Sequence, residues 1–239
     1  MAGHSKWAQI KYRKALTDLK KSKIFSKVSS LIAAAAKKGT DPTSNLALKE
    51  AILRAKEINM PQENIERAIK RGAGLLPGET IEEFLLEAYG PGGIALLLHV
   101  LTGNRNRAIA DIRSILKDHG GKLAEPGSVA WLFKEVGRIS IPDTAWNDSL
   151  EFELIEIGIE DIISEEGYKT IYIPKGKFDK IRNMLLQKEI PFESRIEFLA
   201  KNTIFIQDEK LKQNLESLFS LLDENENVEE IYSNATFQK

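Results

Sequence analysis

The 239-residue chain contains no cysteine. Disulfides, thiolate catalysis and cysteine-based zinc or iron–sulfur centres are excluded at once. Histidine is nearly as scarce: His4, His99 and His119 are the whole complement, and no two of them have metal-ligand spacing. His4 precedes Lys6, where it can touch a phosphate. His99 lies in an apolar run, as a satisfied sheet residue would. His119 closes a helical pattern, where a cation suits the dipole. No apolar run is long enough to span a bilayer, and the charged amino terminus is not followed by the apolar core of a signal peptide. A serine in a nucleophile elbow, a Walker loop and an H-E-x-x-H pair are missing too. The expectation is a soluble, non-enzymatic protein with no cofactor, no metal, no membrane partner and no small-molecule substrate.

Acid is scarce in one place only. The formal charge of −1 hides a segregation: residues 1–74 hold sixteen Lys and Arg against six Asp and Glu, a balance of +10 that leaves −11 for the rest. A cationic module on an anionic body points to a polyanion bound at one end. The density is greatest in the opening stretch, Gly3 to Lys27, where Lys6, Lys11, Arg13, Lys14, Lys20, Lys21, Lys23 and Lys27 face a single acid, Asp18. Trp7 and Tyr12 are interleaved among these cations. Cations for phosphates with aromatics for bases describe a nucleic-acid surface. A solvated helix face is the ordinary alternative, but such a face mixes Glu with Lys at helical spacing, and this one does not.

Along the chain, three amphipathic helices are expected at about 22–38, 45–58 and 61–71, joined by short connections into a small bundle. Gly39 and Gly72 are placed as C-terminal stops. The Gly- and Pro-rich segment 73–79 reads as a linker, and the charge changes sign across it. Strands follow at about 84–89 and 94–101 around Gly90-Pro91-Gly92-Gly93. That turn is a hairpin rather than a phosphate cradle, since neither a helix nor a lysine follows to complete such a site. A helix to about Asp118 opens near Arg105 and Arg107. Cations there are opposed by the dipole, so they serve either anion contact or pairing with acids of the acidic body. Residues 127–133 read as a strand, with Trp131 and Phe133 alternating onto a core face. From Gly137 the order becomes β-α-β-β-α-β, a ferredoxin-like pattern. A β-α-β remainder then needs partner strands from before residue 134. The expected class is α+β with three domains: a basic N-terminal three-helix bundle (1–75), a discontinuous α/β middle domain (80–134 plus 202–239), and an inserted ferredoxin-like domain (135–201).

Several motifs resemble the YebC/PmpR family, which includes the mitochondrial translational activators of cytochrome oxidase. They are Gly3-His4-Ser5-Lys6-Trp7 with the basic run to Lys27, the run from Asn59 to Gly72, Asn104-Arg105-Asn106-Arg107, and Gly127-Ser128-Val129-Ala130-Trp131-x-Phe133. Two departures are Ala88, where the family has Gly, and Gly103, where Asp is usual. The resemblance spans essentially the whole chain, most specifically before residue 134. It implies the same three-domain arrangement and a cytoplasmic regulator of gene expression. Members are described as DNA-binding transcriptional regulators, others as ribosome-associated translation factors. The start at Met1, with no transit peptide ahead of the motif, points to a bacterial cytoplasm. The expected nucleic-acid-binding residues are therefore His4, Lys6, Trp7, Lys11, Arg13, Lys14, Lys20, Lys21, Lys23, Lys27, Arg105 and Arg107. The expected partner is DNA, with ribosomal RNA or the ribosome as the alternative. A third reading is a module whose basic end binds an acidic protein.

Overall fold

Small side chains set how the first helices meet. In the computed structural model, which describes residues 18–76, 80–165 and 167–237, α1 (Asp18–Ala36) buries Val28, Ile32 and Ala36. These pack against Leu48, Ala51 and Ala55 of α2 (Leu46–Glu57) and against Ile65 and Ala68 of α3 (Gln62–Gly72). A Cβ on Gly72 would stand 2.2 Å from the Ala33 carbonyl oxygen and 2.8 Å from Ala36 Cβ, so only glycine permits this α1–α3 approach. Asn45 caps α2 by accepting from Leu48 N (3.1 Å). Its amide donates back to the carbonyls of Ala35 (2.8 Å) and Gly39 (2.7 Å), closing the α1–α2 corner.

Four strands form one antiparallel sheet in the order β3-β1-β2-β9: β1 (Glu82–Tyr89), β2 (Ala95–Thr102), β3 (Lys122–Leu123) and β9 (Val228–Ser233). One face carries Leu96, Leu98 and Val100 into a core with α4 (Arg105–Asp118) and α7 (Glu209–Glu224), through Ile112, Leu116, Leu215, Leu218 and Phe219. On the opposite face Leu101 packs with Ala33 of α1 and with Ile81, so the helical segment covers part of the same sheet. β9 thus supplies the partner the first strands needed. The strand before α7, β8 (Ile204–Ile206), does not join them. It pairs in parallel with β10 (Ala235–Phe237) in a separate two-stranded sheet, where one continuous sheet was expected.

Residues 133–201 form a compact unit distinct from the rest of the chain. Its elements are β4 (Phe133–Pro142), α5 (Asp148–Ile157), β5 (Asp161–Glu165), β6 (Tyr168–Pro174), α6 (Lys175–Gln187) and β7 (Glu193–Ala200). The sheet order is β5-β6-β4-β7, all antiparallel. Ile139, Ile141, Ile171 and Ile173 pack against Leu150 and Leu154 of α5 and against Phe178, Ile181 and Leu185 of α6. The other face holds a polar cluster: Arg138 reaches Glu165 and Thr170 (both 3.3 Å), Thr170 and Ser140 share a hydrogen bond of 2.9 Å, and Arg138 lies 3.7 Å from Glu197. Burial, with Glu197 adding to it, pushes the Tyr172 hydroxyl up to about 12. The fold class is α+β.

The segment 127–133 differs from its expected strand. Residues Ala130–Leu132 form a single 3-10 turn; Phe133 is 4% exposed, but Trp131 is 63% exposed. The cause is Glu87. Its carboxylate accepts from the backbone N–H groups of Gly127 (2.5 Å), Val129 (2.5 Å) and Ala130 (2.8 Å). Donors that a strand would give to a neighbour are consumed by one side chain, so the backbone coils around it.

Candidate functional site

The expected interface residues meet three different fates. His4, Lys6, Trp7, Lys11, Arg13 and Lys14 lie outside the described residues. Lys20 and Lys21 stand in the first turn of α1, and their side chains also lie outside the described set. The remaining four can be placed.

Lys27 is a correction. It is 8% exposed, its ammonium donates to the backbone carbonyl of Asp223, and it lies 3.6 Å from the Asp223 carboxylate. It joins α1 to the end of α7 rather than facing a ligand, because burying an ammonium demands a partner. Lys23, one turn earlier, is exposed and 4.0 Å from Glu224. Ser26 donates to Glu226 (3.2 Å), and Arg54 of α2 bonds Glu229 at 2.6 Å. Glu229 is 6% exposed while the Arg54 side chain is 41% exposed, so the acid of this pair is buried and its cation reaches solvent. A line of acids at the end of α7 and the start of β9 thus seats the basic helices on the sheet.

Arg105 and Arg107 are both exposed, and each stands near an acid. Arg105 lies 3.3 Å from Glu82, with its guanidinium carbon 3.8 Å above the Phe84 ring centroid. Arg107 lies 3.8 Å from Asp111, one turn on. The preceding Asn104 is the N-cap, accepting from Arg107 N at 3.1 Å, while Thr102 Oγ1 accepts from Asn104 N at 3.0 Å. The motif therefore works locally as a helix start.

Other cations of the first helices are solvent-facing: Lys38, Lys49, Lys56, Arg67 and Lys70 are exposed, Arg67 with Glu63 at 2.9 Å. Lys37 donates to the Ile81 carbonyl. Arg71, at the end of α3, is half-buried. Burial lowers its pKa, and its Nε has no hydrogen-bond partner among the described residues. His99 and His119 are engaged. His99 Nε2 is 2.9 Å from Glu83, whose carboxyl is held below its ordinary range by that contact. His119 lies 3.0 Å from the Ile115 carbonyl and 3.1 Å from Ser217 Oγ. Among the described residues no group of three His, Asp or Glu could hold a metal ion, and no helix is long and apolar enough to cross a membrane.

The residue that sequence reasoning misplaced is Trp131. Alternation put it in the core, and the signal that it lies elsewhere is Glu87, an acid facing a loop through space and invisible to local pattern. Trp131 Nε1 donates to the Ser128 carbonyl (3.0 Å), and Tyr89 donates its hydroxyl to the same oxygen (3.2 Å). Burial opposes ionisation of Glu87, but the three backbone N–H groups outweigh it and lower its pKa.

Comparison with known proteins covers nearly the whole chain. Residues 5–75 match the family described as TACO1/YebC protein N-terminal domain, and residues 81–235 the one described as TACO1/YebC second and third domain. A protein of Halothermothrix orenii named "Probable transcriptional regulatory protein" is 43% identical over 98% of this chain and 94% of its own length. One of Dehalococcoides mccartyi, also named a probable transcriptional regulatory protein, is 41% identical over 99% of this chain and 95% of its own. The crystal structure of a conserved hypothetical protein from Aquifex aeolicus superposes with a TM-score of 0.81 at 36% identity, covering 98% of both chains. Matched in both its N-terminal and its later parts, the chain belongs to the TACO1/YebC family.

Proposed function

We propose that this protein is a nucleic-acid-binding regulator of gene expression, with DNA as its target in transcription. The observation that carries the reading is the segregation of charge, +10 over residues 1–74 against −11 over the remainder. The relatives named as transcriptional regulatory proteins support it. In this reading residues 1–75 act as a domain of their own. They are carried by a discontinuous domain of residues 80–134 and 202–239, into which residues 135–201 are inserted. Lys6, Lys11, Arg13, Lys14, Lys20, Lys21 and Lys23 contact phosphates, and Trp7 stacks on a base or lodges in a groove. Lys27 and Arg54, held by Asp223 and Glu229, orient the basic end instead of binding with it. The reaction chemistry of an enzyme plays no part.

The test is the salt dependence of duplex binding. Each lost phosphate contact flattens the slope of log K against log salt by roughly 0.9 on duplex DNA. Replacing Lys11, Arg13 and Lys14 by Ala should therefore flatten it by roughly 2 to 3, with affinity falling uniformly across sequences. An unchanged slope removes these residues from the interface. Ribosome co-sedimentation of the wild type, abolished by Lys20→Glu/Lys21→Glu, would move the target from DNA to ribosomal RNA.

A further inference from the structure

Helix α5 carries apolar side chains on both of its sides. Leu150 and Leu154 are buried in the core beneath their sheet, while Phe152 is 71% exposed and Ile155 52% exposed. Residues three apart on a helix are neighbours, so these two make one outward apolar ridge. Asp148 and Glu156 stand four residues before and four after Phe152, and both are exposed. The acids between them are engaged: Glu151 accepts from Trp146 Nε1 (2.8 Å), and Glu153 meets Lys188 at 2.6 Å. Asp148 and Glu156 have no ion pair among the described residues. Glu156 also borders an open groove of about 340 Å³, together with Glu153, Ile157, Lys180 and Met184. The surroundings repel anions, since residues 143–168 hold nine Asp and Glu and no Lys or Arg.

Helix α2 shows the same layout with the opposite sign. Leu48, Ala51 and Ala55 are buried in the helical core, while Leu53 is 51% exposed on the outer side. Lys49 lies four residues before Leu53 and Lys56 three after, both exposed and neither ion-paired among the described residues. The exposed acid of this helix, Glu57, stands at its last position. At 1.5 Å per residue the two lysines are about 10 Å apart along their axis and the two acids about 12 Å along theirs. One pair of charges can therefore meet the other with Leu53 lying over Phe152 and Ile155. A single exposed leucine needs no explanation. An apolar centre between two cations and an apolar centre between two acids, at matching spacing, are complementary surfaces.

We propose that the outer face of α2 on one copy of this protein docks on the outer face of α5 on a second copy, with Leu53 against Phe152 and Ile155, and Lys49 and Lys56 against Asp148 and Glu156. The occupant is a second copy because the chain itself carries the complementary charge, and because the acids around α5 repel a nucleic acid. None of these residues belongs to the phosphate contacts proposed above, so the inference stands apart from the nucleic-acid reading. The two copies present different faces to each other, a heterologous contact that either closes or extends. Exposed ion pairs contribute little each, so the association is weak, and salt opposes it.

The experiment is sedimentation velocity of the full chain in low salt, at concentrations up to about 0.5 mM, where weak interfaces associate. The wild type should gain mass with concentration and lose it again with added salt. Lys49→Glu/Lys56→Glu and Asp148→Lys/Glu156→Lys should each weaken self-association about ten-fold or more, since like charges would then face each other. Asp148 stands in the first turn of α5, where a lysine opposes the dipole. Phe152→Ser therefore tests the same helix with every charge in place, and it should weaken association as well. The deciding sample is an equal mixture of the two charge-reversal variants. Each offers the face that matches the other, so the mixture should associate where neither variant alone does, with circular dichroism melts establishing that the variants are folded. Self-association untouched by the reversals and by Phe152→Ser, or a mixture as monomeric as its components, overturns the contact. A wild type that stays monomeric throughout overturns it too and leaves the two faces to a different protein. Duplex binding is not at stake in any of these outcomes.

Discussion

The two four-stranded antiparallel sheets of this protein use their second faces in opposite ways. In the sheet of residues 82–123 and 228–233, β2 is buried along nearly its whole length, on both faces. Leu96 and Leu98 point toward α4 and α7, and Leu97 and Leu101 are just as buried on the other side, where α1 reaches Leu101. In the sheet of residues 133–200 the first face packs on two helices, and the second carries Arg138, Ser140, Glu165, Thr170 and Glu197 in one hydrogen-bonded and ion-paired cluster. Antiparallel sheets commonly keep one polar face, and a strand apolar on both faces is the mark of a sheet covered twice. In the first sheet the second face packs in part against α1. The second sheet holds its far face together with polar contacts instead.

Cutting into the doubly covered face should have the largest effect. Leu97→Ala removes a fully buried side chain from the face opposite the main core. It should cost about 2–5 kcal/mol of unfolding free energy by denaturant titration, as a core truncation does. A cost below about 1 kcal/mol would mean that this face is not packed as a core. On the second sheet, Thr170→Val leaves the Ser140 hydroxyl and Arg138 without one partner and should cost about 1–3 kcal/mol. Adding Ser140→Val should recover much of that loss, since removing both ends of a buried hydrogen bond is far milder than removing one. Strict additivity of the two would break the comparison. The smallest effect concerns pH. Glu87 has a lowered folded-state pKa, so its contribution is fully present above the unfolded value and is lost as pH falls through the folded one. In Glu87→Gln that contribution is gone at neutral pH. The melting temperatures of wild type and variant should therefore converge on acidification below the ordinary carboxylate range, and a gap that persists in acid would show that the carboxylate charge does not hold the loop.

Much of the fold was legible because periodicity is local. Helices α5 and α6 and the strands from β4 to β7 follow the expected β-α-β-β-α-β order. The short β3 and β10 were not legible, since two or three residues carry no period. The candidate site was legible only as composition. The charge excess of residues 1–74 is plain in the chain, but Lys23 and Lys27 look alike there and differ in the fold: one exposed beside Glu224, the other buried against Asp223. That distinction depends on acids nearly two hundred positions away.

The sequence by itself determined the class of elements, their order and the separation of charge, because each depends on neighbours within a few residues or on simple counts. Tertiary structure decided which cations remain available, that Trp131 faces solvent while Phe133 is buried, and that Lys122 stands beside the glycine turn. Those outcomes follow from Glu87 capturing a distant loop, from Asp223 and Glu229 capturing distant cations, and from one short strand pairing. Hydrogen bonds and ion pairs act through space between groups brought together only by the packed core, so no local pattern in the chain encodes them.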